Sequence, residues 1–151
     1  MDNNILSLVI DSFWKILKPG LLMTIPLTLI SFFFSLIIAT VTALVQYRKI
    51  PVLQKAARFY IWVIRGTPLL VQLFVVFYGL PSLGVLIDPF PAAVLVFSIN
   101  EGAYSAETIR AAIESVPVGQ LEAGECIGLS WLQSMRRIVL PQALRTAFPT
   151  L

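Results

Sequence analysis

Residues 19–47 read PGLLMTIPLTLISFFFSLIIATVTALVQY, and no charged side chain interrupts them. About 20 apolar residues in a helix suffice to cross the ~30 Å hydrocarbon layer of a bilayer. The stretch therefore predicts a membrane-spanning helix over residues 21–46. Its hydroxyls, at Thr24, Thr28, Ser31, Ser35 and Thr42, recur at helical spacing and form one stripe. In lipid, small polar residues of this kind mark contacts between helices, so the stripe is expected to pack against a neighbouring span.

Outward from this stretch the pattern repeats. A second span is predicted over 59–80, interrupted by Arg65-Gly66-Thr67-Pro68. A third is predicted over 91–109, and part of a fourth over 132–151. The chain is 58% hydrophobic and 13% charged, whereas soluble domains carry about 25% charged residues. The fold class expected is all-α, a polytopic transmembrane helical bundle in one domain, 1–151. It has three complete spans, part of a fourth, and a polar loop over 114–131. Gly66, Pro68 and Pro81 are expected to bend or end the second helix. Residues 1–18 are polar at first and do not resemble a cleavable signal peptide, because the apolar run that follows is too long.

Charge sets the expected orientation. Residues 48–58 carry Arg48, Lys49, Lys55 and Arg58 with no acid, whereas 79–91 carries Asp88 and no base. The positive-inside rule places 48–58 in the cytoplasm, 79–91 and the amino terminus outside, and 110–137, with Arg136 and Arg137, back in the cytoplasm. Lys15 and Lys18 count mildly against an external amino terminus. The net charge of +3 gathers at the edges of apolar runs, which suits membrane orientation and argues against nucleic acid. There is no histidine and one cysteine, Cys126. An internal disulfide is thereby excluded, and the usual catalytic bases and zinc ligands are missing. An enzyme and a metal site are not expected. Cys126 reads as a small buried hydrophobe, and Trp14, Trp62 and Trp131 as interfacial or packing residues.

Residues 115–141 read SVPVGQLEAGECIGLSWLQSMRRIVLP. Pro117 and Gly119 break the chain, and a helix of two to three turns follows over about 120–127, with Glu122 near its positive start. Gly128 can take the left-handed conformation that ends it. Ser130 and Gln133 then have the spacing of a capping box, which starts a second helix near Trp131.

The spacing Glu122-Ala123-x4-Gly128-x9-Ile138-x-Leu140-Pro141 resembles the EAA loop of importer permeases in the ATP-binding-cassette superfamily. Arg65-Gly66-Thr67-Pro68 with Gln72, Gly102-Ala103-Tyr104 with Glu107, Gly119-Gln120, and Leu140-Pro141-Gln142-Ala143 are similar to its polar amino acid branch. The resemblance covers the chain from about residue 20. It implies that the short helix docks on an ATPase subunit, with Gly119, Gln120, Glu122, Ala123, Gly124, Gly128, Leu140 and Pro141 as coupling residues. It also implies a second permease copy or homologue, an extracellular or periplasmic amino-acid-binding protein, and an amino acid substrate. No cofactor is expected on this chain itself, since ATP and Mg2+ belong to the partner ATPase. Alternating access in a bacterial inner membrane is the implied mechanism. Gly124 departs from the alanine of the triplet and is expected to cost up to ~1 kcal/mol of helix propensity. Family members continue beyond the point where this chain stops, so a truncated permease is expected.

Ionisable groups within spans need partners or a function. Ser98, Glu101, Ser105 and Thr108 form one face of the third span, and Arg58, Arg65 and Gln72 one face of the second. Glu101, Asn100, Ser105, Gln72 and Arg65 are the candidate substrate pathway. Glu101 would meet the ammonium of an amino acid and Arg65 its carboxylate. Depth brings Arg65 nearer to Glu107 and favours a structural pair between those two. The competing readings are a permease for another small polar solute and a non-transport helical scaffold.

Overall fold

The computed structural model describes residues 2–151, with side chains from Leu8 onward except Ile10. The first residues of the polar amino-terminal stretch therefore lie, in part, outside the described residues. Among the described residues every regular element is helical, as the sequence predicts. Helix α1 (Asp2–Tyr47) passes unbroken through Pro19 and Pro26. It extends well before the expected start at residue 21, and its segment Asp11–Tyr47 is long and apolar enough to cross a membrane. Lys49 ends it with a φ of 53°, the left-handed region that favours glycine, and Pro51 opens α2 (Pro51–Gly66) one residue after extended Ile50.

The span expected over 59–80, interrupted at Arg65-Gly66-Thr67-Pro68, is indeed two helices. After α2 the chain turns by 100° into the rod Leu69–Ser82, which comprises α3 (Leu69–Phe74), a π turn (Val75–Gly79) and α4 (Leu80–Ser82). Thr67 is extended, because a residue before proline is forced out of the helical region. Two carbonyls at this corner, of Ile64 and Thr67, accept hydrogen bonds at 2.9 Å from the Gln72 side chain. Pro81 lies one residue before the rod ends at Ser82, in line with the expectation that it bends or ends the helix. A proline ring displaces the carbonyl four residues back, and here the helix absorbs it by widening one turn. The same device recurs before Leu140-Pro141, where the π turn Met135–Val139 joins α7 (Trp131–Ser134) to α8 (Leu140–Ala147).

Helix α5 (Pro89–Glu114) packs along α1, and this pair is the spine of the fold. Ser31, Ser35, Ala39, Ala43 and Gln46 of α1 are buried, against Val96, Gly102, Ala103, Ala106, Ile109 and Ile113 of α5. Small residues let the backbones approach closely. At Gly102 a β-carbon would lie 2.9 Å from Ile38 Cγ2 and 3.2 Å from Tyr60 Oη. Tyr60 itself donates to the Ile99 carbonyl at 2.6 Å, which hooks α2 onto the same point. The hydroxyl stripe of α1 thus divides in two. Ser31 and Ser35 are buried in the packing, as expected, whereas Thr24 and Thr28 are exposed and line a cavity.

Candidate functional site

Helix α6 (Val118–Cys126) starts two residues earlier than the sequence suggests. Glu122 therefore lies in its second turn, beyond the reach of the helix dipole, which fades within the first. The helix closes as expected. The amide of Leu129 donates to Gly124 O at 3.0 Å and that of Gly128 to Glu125 O at 2.9 Å, with Gly128 at a φ of 78°. This is the Schellman arrangement. Two residues on, the Ser130 hydroxyl accepts from the Gln133 amide at 3.4 Å and the Gln133 side chain accepts from the Ser130 amide at 2.8 Å. The capping box read from the sequence is formed.

Two contacts clamp α6 onto the rod that follows it. The Gln142 side-chain amide donates to the Gln120 side chain and, at 2.9 Å, to the Ile138 carbonyl. Gly124 is buried, and a β-carbon there would lie 2.8 Å from Ser134 Oγ and 3.2 Å from Ile138 Cδ1. The glycine thus serves a close approach rather than loosening the helix. The unit also carries exposed apolar side chains at Val118, Ile127 and Leu132. Cys126 is also exposed, contrary to the expectation of burial.

The polar residues inside the bundle fall into two separate cavities. One, of about 410 Å³, is lined by Thr24, Thr28, Ser31, Asn100 and Glu101 with apolar neighbours. Ser105 is buried behind it and donates to Glu101 Oε1 at 2.8 Å. The second, of about 490 Å³, is lined by Gln46, Arg58, Ile61, Trp62, Arg65, Gly66 and Glu107. Arg65 and Glu101 therefore do not face one shared space. Gln72 lines neither, because its amide holds the corner between α2 and α3.

The expected Arg65–Glu107 pair is not formed. Glu107 is taken by Arg110 at 2.9 Å and accepts from Gln46 at 3.3 Å, and Arg110 also binds Glu114 at 2.8 Å. Arg65 sits over the Tyr104 ring instead, 5.1 Å from its centroid. Three- and four-residue spacing on one helix outcompetes a partner on another helix. That spacing was legible in Glu107, Arg110 and Glu114. The Gln120–Gln142 contact and the stacking of Arg48 on Trp131, 4.2 Å from the ring centroid, carry no local sequence signal.

This architecture is shared with known proteins. The chain is 51% identical over 144 residues to the L-cystine transport system permease protein TcyB of Bacillus subtilis (strain 168), covering 95% of this chain and 62% of that protein. It is 45% identical over 144 residues to TcyL, a second L-cystine transport system permease protein of that strain, covering 88% and 60%. The chain thus spans about three-fifths of the length of these relatives. The crystal structure of an amino acid ABC transporter with histidines matches with a TM-score of 0.81 at 37% identity, over 95% of this chain and 67% of that one. An inward-facing MetNI methionine ABC transporter shares the fold, with a TM-score of 0.74 at 22% identity, over 92% of this chain and 69% of that one. Residues 35–151, which hold both cavities' α5 side chains and the whole α6–α8 unit, match the family described as "Binding-protein-dependent transport system inner membrane component", and the chain belongs to that family.

Proposed function

We propose that this chain is the core of the membrane subunit of an ATP-binding-cassette importer that carries polar amino acids across a bacterial inner membrane. It hydrolyses nothing itself. ATP and Mg2+ act on partner ATPase subunits, a second permease copy or homologue completes the pathway, and an external binding protein delivers substrate. Segments 21–46, 59–80, 91–109 and 132–151 lie in the membrane, the amino terminus faces outward, and the loop 114–131 is cytoplasmic. Within this reading, the second membrane segment enters as a broken helix.

The observation that carries the proposal is the construction of α6. A nine-residue helix is closed at its end by a Schellman turn and locked to the next rod by Gln120–Gln142 and by Gly124 against Ser134. Val118 at its start and Ile127 just past its end are exposed, at 66% and 76%. On the proposed reading these two apolar side chains contribute to the surface that docks on the ATPase. A rigid helix of this kind transmits displacement to α8 instead of absorbing it. Glu122, Ala123 and the glycines around them shape that docking helix, and Leu140-Pro141 continues it into the bundle. Relatives named for cystine and arginine support polar amino acids as the substrate class. The Asn100–Glu101–Ser105 group then meets the substrate ammonium within the cavity beside Thr24 and Thr28.

Co-purification tests the reading. The complete permease, expressed at native level and solubilised in mild detergent, is expected to bring down an ATPase subunit. Loss of that subunit is expected on Glu122→Ala combined with Ile127→Asp. A permease that purifies without any ATPase contradicts the proposal.

A further inference from the structure

We propose that Arg48 is a positioning residue for coupling: stacked on Trp131, it ties the end of α1 to the exit of α6, so that displacement of α6 reaches α1 as well as α8. This rests on the reading of α6 as the coupling helix. The covalent chain leads from α6 backward through residues 115–117 into α5, which packs along α1, and forward through Ser130 and Trp131 into α8. Helix α1 lies far off in sequence, so its direct link to the α6–α7 turn is a contact through space.

Arg48 provides that contact. Its guanidinium carbon lies 4.2 Å from the Trp131 ring centroid, within the range where a cation is held by the negative face of an indole. Among the described residues Arg48 forms no salt bridge, so the ring is its partner. Both ends of the contact are held stiffly. Trp131 is the first residue of α7, directly after the capping box at Ser130, and it packs on the buried core together with Leu44 and Tyr47 of α1. On the other side, the Arg48 amide still donates to Leu44 O at 3.0 Å, so Arg48 belongs to the last turn of α1. The next residue, Lys49, is the non-glycine residue held in the left-handed region. Strained conformations persist only where the surroundings determine them, and here the strain fixes the corner that presents Arg48 to the ring. Two residues back, buried Gln46 joins α1 to Glu107 of α5. The end of α1 is therefore fastened to α5 by one residue and to the α6–α7 turn by another.

A paired distance measurement in the complete transporter tests this. Spin labels are placed on native Cys126, exposed at the end of α6, and on Val41→Cys, an exposed position of α1. Distances are recorded without nucleotide and after trapping with ATP and vanadate. In the otherwise unaltered protein the two labels are expected to keep one narrow distance in both states, while the Cys126 label itself changes environment on trapping. With Arg48→Gln or Trp131→Leu the trapped state is expected to lose that single distance and split. Trp131→Tyr, which keeps a ring face, is expected to restore it. ATP hydrolysed per solute taken up is expected to rise in the split variants. If Arg48→Gln keeps one narrow distance while the Cys126 label still responds to nucleotide, the inference is overturned and the coupling reading stands. If the Cys126 label ignores nucleotide in the unaltered transporter, both are overturned.

Discussion

Glycines decide two close approaches, and the two differ in what surrounds them. At Gly102 a β-carbon would meet Ile38 Cγ2 at 2.9 Å and Ile38 Cβ at 3.1 Å. The latter atom is bonded directly to the α1 backbone, so no side-chain rotation moves it away. Gly102→Ala is expected to destabilise by about 1–3 kcal/mol, the usual cost of overpacking, read as a lowered thermal midpoint in detergent. At Gly124 the close atoms are Ser134 Oγ at 2.8 Å and Ile138 Cδ1 at 3.2 Å, both at the tips of rotatable side chains. There the gain of ~1 kcal/mol in helix propensity offsets the crowding. Gly124→Ala is expected to stay near neutral in the same assay, and Gly124→Val, with two further methyls on the β-carbon, to lower the midpoint clearly. From sequence alone Gly124 shows only its propensity penalty. Its buried neighbours come from residues ten and more positions away.

The corner between α2 and α3 belongs to the scale of elements. Helix ends leave carbonyls without partners, and on the proposed placement of 59–80 in the membrane this corner would have no water to supply them. Gln72 supplies donors to Ile64 O and Thr67 O. Gln72→Leu leaves the Thr67 carbonyl without a side-chain donor and is expected to cost about 1–3 kcal/mol. Gln72→Glu, which cannot donate when ionised, should behave alike. Both are measured as lost thermal stability, with Gln72→Ala as a control for side-chain bulk. What was legible here was local. Gly66-Thr67-Pro68 announces a break, Gly128 a left-handed end, and Ser130 with Gln133 a helix start, because each signal lies within a few residues. The 100° angle of the break was not legible, since it depends on how Tyr60 hooks α2 onto Ile99. The true partner of Glu107 was misread for a related reason: depth suggested Arg65, while Arg110 lay one helical turn away.

At the scale of the molecule, α1 and α5 form a spine of small buried residues, and two polar spaces open beside it. One is lined by Glu101 and hydroxyls of α1. The other is lined by Arg58 and Arg65 around a Glu107 already neutralised by Arg110. The Glu101 space suits an ammonium. Glu101→Gln is expected to weaken uptake of a polar amino acid about tenfold, as loss of a hydrogen bond to a charged group does, and unchanged affinity would remove Glu101 from the pathway. The α6–α8 unit packs on the spine, with Met135, Val139, Ala143 and Ala147 buried in the same core as Ala106, Ile109 and Ile113 of α5, and Leu121 and Trp131 packed against it. The account as a whole depends on the side of the membrane this unit faces. A membrane-impermeant maleimide applied to Cys126, exposed at the end of α6, decides it most directly. Labelling in inside-out vesicles only is the predicted result; labelling of intact cells from outside would contradict it.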